Sequence, residues 1–169
     1  MNNDFGPILL MTQLNKAFIK GTKERLDEIK KNPNGFDDVK VSQEKSQSGY
    51  DKLVNLIKDE LKEAKKNYPE AIYKKIEETL TSLNGLTVDI VNNFNQDLIV
   101  NEKLDKFVNE YNDLEKYLLD NLEHLVEYSI NVGDMTLDKY KESLSEENIT
   151  PEYKTALQKV IDKKEKEMA

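Results

Sequence analysis

From Leu104 to Val132 one stripe of positions recurs at steps of three and four: Leu104, Phe107, Tyr111, Leu114, Leu118, Leu122, Leu125, Ser129 and Val132. Glu102, Asp105, Glu110, Asp113, Lys116 and Glu123 fall on other faces, and neither Pro nor Gly interrupts before Gly133. The pattern predicts one continuous amphipathic helix near 102–132, about 30 residues and roughly 45 Å long at 1.5 Å per residue. Such a helix needs partner helices along its length. The steps average closer to 3.6 than to the 3.5 of a supercoiled seam, which favours a bundle over a long dimeric coiled coil.

The other patterns agree with a bundle. Pro7 suits the first turn of an opening helix that runs to about Lys31, with Met11, Leu14, Phe18, Leu26 and Ile29 inward and Gly21 as a bend or close-approach point. Asn32-Pro33-Asn34-Gly35 is a stop signal. Residues 36–47 show no clean period and are expected as loop, so 32–47 reads as a loop-rich connection. Ser48 would cap a second helix whose stripe is Tyr50, Leu53, Ile57, Leu61, Ala64 and Tyr68. Pro69 opens a third helix lined by Ile72, Ile76, Leu80 and Leu83, with Asn84-Gly85 as its C-terminal cap. Ile90, Val91, Phe94 and Leu98 form a fourth stripe, which either continues the third helix or folds back. Thr136 caps a short helix with Leu137, Tyr140 and Leu144. Thr150-Pro151-Glu152 starts the last helix, with Tyr153, Leu157, Val160 and Ile161 inward. The charged tail, 162–169, is expected to fray. The fold class is therefore all-α: one domain over 1–169, an antiparallel bundle of five to seven helices.

Composition narrows the chemistry. The 169 residues include no Cys, which excludes disulfides, thiol catalysis, Cys-type zinc sites and iron–sulfur clusters. Net charge is −8 and Arg25 is the sole arginine, so a nucleic-acid partner is not expected. Ile8 to Met11 is too short a run to span a bilayer. It also lacks the basic n-region and cleavage site of a signal peptide. Absence of Cys suits the cytoplasm, but export with a signal already removed stays open.

No catalytic, cofactor or metal site is expected. The lone histidine, His124, neighbours Glu123, but adjacent helical side chains point about 100° apart, so the pair reads as surface or boundary residues. One histidine cannot supply the two Glu-x-x-His pairs of a di-iron bundle. The acidic pairs Glu77-Glu78, Glu146-Glu147 and Asp37-Asp38 lack a calcium-loop pattern. The six glycines are dispersed, so no phosphate-cradling loop occurs.

Two features single out contact candidates. Ile8, Leu9, Leu10 and Met11 are apolar on all sides of a helix, so the segment either threads the bundle centre or exposes an apolar edge. Tyr73, Tyr117 and Tyr128 lie off or at the edge of their stripes and are candidates for an exposed contact surface, set against plain boundary packing. The function expected is non-enzymatic: binding a protein partner through helical surface, with a homodimer as one form of it. The alternative is a carrier of a fatty acid or similar amphiphile between helices. In size, lack of Cys and succession of amphipathic helices the chain is broadly similar to exchangeable apolipoproteins, a likeness of architecture and not of motif.

Overall fold

Pro7 sits in the first turn of helix α1 (Gly6–Lys31), where its missing N–H leaves no bond unmade. The computed structural model describes residues 5–169, and within them the chain forms seven α-helices and no strand. Asn32 ends α1, and a single 3-10 turn, Pro33–Gly35, leads directly into α2 (Phe36–Glu63). The loop expected over 36–47 is therefore helix. Gly35 precedes it, and Asp37 and Asp38 lie in the first turn, where carboxylates suit the positive end of the helix dipole. The period was hidden because one inward position is polar. Val39, Gln43, Tyr50, Val54, Ile57 and Leu61 are the buried face. Ser48, expected as a cap, is mid-helix, and Leu53, expected inward, is 39% exposed while Val54 beside it is buried.

A 3-10 turn at Lys65–Asn67 joins α2 to α3 (Glu70–Asn92), with Pro69 just ahead of the helix rather than in it. The cap expected at Asn84-Gly85 is absent and α3 runs through it. An interior glycine costs about 1 kcal/mol relative to alanine. Burial of Leu80, Leu83, Leu86 and Ile90 on both sides of Gly85 outweighs that. Residues 93–96 then turn the chain into α4 (Asp97–Asp120).

The long helix expected at 102–132 is two helices. α4 ends at Asp120 and α5 covers Leu122–Asn131, with Asn121 between them at φ −107°, ψ 11°. The Asn121 side-chain amide donates back to the Tyr117 carbonyl at 2.8 Å, a local bond through which asparagine competes with helical pairing. Leu118, Leu122 and Leu125 stay buried across the bend, so the stripe gives no sign of it. Val132, the last residue of the expected stripe, is exposed.

The last two helices are α6 (Leu137–Ser143) and α7 (Pro151–Met168). Their caps are as expected: Thr136 Oγ1 accepts from the Lys139 N–H at 3.2 Å, and Thr150 Oγ1 from the Tyr153 N–H at 3.5 Å. The tail expected to fray is helical through Met168. Lys163 and Lys164 reach Glu123 and Glu127 on α5, and Glu165 reaches Lys141 on α6.

Helices α1 to α4 run up-down-up-down, each packed on the next, with α4 returning to α1. At their centre Phe18, Tyr50 and Phe107 form a triangle of rings with centroids 5.1–5.9 Å apart, tying α1, α2 and α4 together. One end of the bundle holds both hairpin turns, where Phe36 meets Phe94 at 6.2 Å. The other end is covered by α5, α6 and α7, whose Tyr140 and Tyr153 close edge-on over Phe5 at 6.0 and 6.1 Å.

A polar clamp anchors this cap to the α2–α3 turn. Asn67 donates to Asp134 Oδ1 and accepts from the Asp134 N–H, both at 2.8 Å, and Lys66 pairs with Asp134 Oδ2. Gly133 is required by space: a Cβ there would lie 1.7 Å from Asn67 Oδ1. The Asp134 carboxyl is lowered to about 2, first by the Lys66 bond and then by Asn67.

Candidate interaction surface

The seam between α1 and α2 is the part of the molecule where buried polarity and exposed apolar area meet. Inside it, the Tyr50 hydroxyl donates to Asn15 Oδ1 at 2.6 Å, and Asn15 donates to the Met11 carbonyl at 2.8 Å. Two turns further along, Gln43 Nε2 donates to Thr22 Oγ1 at 2.9 Å and Gln43 Oε1 accepts from Arg25 Nε. Gln43 thereby receives and gives a bond, which is why a long amide is tolerated at an inward position. Burial among these groups pushes the Tyr50 hydroxyl well above its ordinary value and lowers Arg25, which the Glu24 charge partly offsets.

Arg25 lies back along α1 across Gly21. A Cβ at residue 21 would come within 3.0 Å of Arg25 Nη2. The close-approach role foreseen for Gly21 is thus filled by the chain's own arginine. Arg25 Nη2 is buried and has no hydrogen-bond partner among the described residues, so the guanidinium keeps donor capacity beyond its bond to Gln43.

Outside this polar layer runs a groove of about 240 Å³. Phe18 and Tyr50 form its floor, Leu14 and Leu53 its walls, and Gly49 and Ala17 keep its rim low. Leu53 is 39% exposed and Leu56, one turn further along α2, 48% exposed. Leu10 and Leu14 on α1 are half-buried. The hydrogen bonds Tyr50–Asn15 and Gln43–Thr22 set an antiparallel register that carries Leu53 and Leu56 toward the Leu10–Leu14 end of α1. Four leucines therefore lie along one seam with Arg25 at its other end.

Ile8, Leu9 and Met11 are fully buried and serve the core, so of the N-terminal candidates Leu10 alone reaches the surface. Tyr73 is 8% exposed and lies inside, which fits the packing alternative and not an exposed contact surface, with the Lys65 ammonium 5.1 Å from its ring centre. Desolvation, then Glu77, raises its hydroxyl above the ordinary value. Tyr117 is half-buried with Lys75 at 5.9 Å, and Tyr128 is half-buried with the His124 ring edge-on at 6.5 Å. The three tyrosines sit on α3, α4 and α5, each against its own neighbour.

Sequence reasoning missed Leu53 and Leu56 as surface residues, and Gln43 as an inward one. The signal was present: Val39, Gln43, Tyr50, Val54, Ile57 and Leu61 follow one helical phase once an amide is allowed on it. Among the described residues no three His, Asp or Glu side chains are grouped to hold a metal, and no helix is long and apolar enough to cross a membrane. No family model matches the chain, and neither a curated protein nor a solved structure matches it.

Proposed function

We propose that the protein is a non-enzymatic interaction module that receives an amphipathic helix of a protein partner along the α1–α2 seam. The observation that carries this reading is the placement of Leu53 and Leu56 outside the core beside a groove with a low glycine and alanine rim. A helix laid into such a groove buries its apolar side against leucines, and small rim residues let its backbone come close. Arg25, which lines the groove, gives the seam a positive charge at one end and so favours an acidic residue on the incoming helix there. The carrier alternative needs apolar space between helices. At the bundle centre that space is occupied by Phe18, Tyr50 and Phe107, which favours a partner bound outside.

The test is a photo-crosslinking residue at Ala17, which is exposed on the groove rim. A defined crosslinked protein is expected from the wild-type background and none from the Leu53→Lys, Leu56→Lys double variant, with the thermal midpoint unchanged. Crosslinking that survives the double variant would sink the reading. Native mass spectrometry that finds extractable amphiphile bound to the chain would favour the carrier instead.

A further inference from the structure

Leu98 has no role in the bundle. The fourth stripe placed it inward, yet it is 87% exposed, more than any other large apolar residue among those described. On α4 the buried positions are Val100, Leu104, Phe107 and Tyr111, and at 100° per residue Leu98 points directly away from them. It stands in the first turn of α4, next to Asp97, at the end of the bundle that holds both hairpin turns.

Asp97 also lines a groove of about 300 Å³ at that end, between the last turns of α1 and the start of α4. Its floor is Leu26, Ile29, Phe36 and Phe94, and its rim carries Lys30 on one side and Asp97 on the other. Neither charge is in an ion pair among the described residues. A projecting leucine, an apolar slot and one charge of each sign thus share one small surface.

We propose that this surface pairs with itself: two copies of the chain meet about a two-fold axis, with Leu98 of each seated in the Ile29–Phe36–Phe94 groove of the other. A two-fold contact must match its own patch, so knob and hole have to lie close together, and Leu98 directly follows the rim residue Asp97 in α4. Charge selects the same occupant. Each chain carries −8, so two copies repel at a distance, and a contact between them has to be locally balanced. Lys30 of one copy facing Asp97 of the second supplies that balance twice, once on each side of the axis. The patch is small compared with interfaces of about 1,200–2,000 Å², so the dimer is weak and reversible. This contact is independent of the α1–α2 groove.

Sedimentation velocity of the full chain, from about 10 µM to about 1 mM, tests it over the range where weak association is measurable. The weight-average mass is expected to rise toward two copies. Leu98→Lys, at a surface position that leaves the fold unchanged, should weaken association at least ~10-fold. Lys30→Asp and Asp97→Lys should each weaken it, and the two together should restore it. Leu53→Lys should leave it unchanged, which separates this contact from the proposed partner groove. A chain that stays monomeric throughout, or a dimer indifferent to Leu98→Lys, overturns the proposal, as does a dimer dissolved by Leu53→Lys.

Discussion

The two hairpins of the bundle, α1–α2 and α3–α4, bury their facing sides by different means. Between α1 and α2 lie Asn15, Thr22 and Gln43, all without solvent exposure, and two hydrogen-bonded pairs cross the seam. Between α3 and α4 the inward residues are Ile76, Leu80, Leu83, Leu104, Phe107 and Leu114, and Thr87 bonds within its own helix. Polar links across that second seam, Ser82–Glu110 and Asp89–Lys103, stay at the surface. Hydrogen bonds are directional, so sliding α2 along α1 by one turn would break the Tyr50–Asn15 and Gln43–Thr22 pairs at once. Aliphatic contacts discriminate less sharply between neighbouring registers. The first seam is therefore specified by polarity and the second by shape.

The difference also explains where apolar area is left over. The inward face of α2 gives one position to an amide, while Leu53 and Leu56 sit outside. On α3 the stripe is filled by aliphatics, and Val88 is its exposed large residue.

The two seams differ most at the bundle centre. Tyr50→Ala should destabilise by about 4 kcal/mol, because it empties an aromatic site and strands Asn15 as well. Leu83→Ala on the second hairpin should cost about 3 kcal/mol from the cavity alone. Urea denaturation measures both, and the reverse order would contradict a polar contribution at the first seam. Gly133→Ala tests a joint outside both hairpins and should cost about 2–3 kcal/mol by forcing Asn67 off Asp134. Its amide-exchange signature should appear in the cap before α1–α4.

Gln43→Leu should cost about 2 kcal/mol by leaving Thr22 and Arg25 without their partner. Adding Thr22→Val should recover part of it. A double variant no more stable than Gln43→Leu alone would mean that the Thr22–Gln43 bond does not couple the helices.

Acid should act on the cap and not on either seam. Among the described residues the carboxyls held below their ordinary values are Glu127, by Lys164; Asp134, by Lys66 and then Asn67; and Glu152, by its own backbone N–H and then Lys16. All three lie on α5, α7 or the loop before α6. A depressed carboxyl adds stability above its unfolded value, and that stability is lost as pH falls through the folded value. For Asp134 the window runs from 3.8 down to about 2. Tyrosine fluorescence and NMR of Tyr140 and Tyr153 should change in that window before Phe18 and Phe107 do, and Asp134→Asn should blunt the change. The smallest effect is at the surface: Leu56→Lys should shift stability by no more than about 0.5 kcal/mol.

Much of this architecture was readable along the chain. The helical class, the α1 and α7 starts, both threonine caps and the stop at Asn32-Pro33 follow from period and capping chemistry, which act within a few residues. What failed did so for one kind of reason. Asn121 bends the helix without disturbing the stripe, and Gly85 is carried through a helix by flanking burial. Gln43 disguised twelve residues of helix as loop, because its partners Thr22 and Arg25 are distant in sequence. Of the candidate contacts, Leu10, Tyr117 and Tyr128 are half-buried, whereas Leu53 and Leu98, counted as inward, are exposed.

That this chain folds as helices with one apolar side follows from its order of residues, since a 3.6-residue period and end caps are local properties. The tertiary structure decided which leucines face water. That choice depends on a rotation of a few tens of degrees about each helix axis, and the rotation is set by partners such as Asn15 for Tyr50 and Gln43 for Arg25, which only folding brings together.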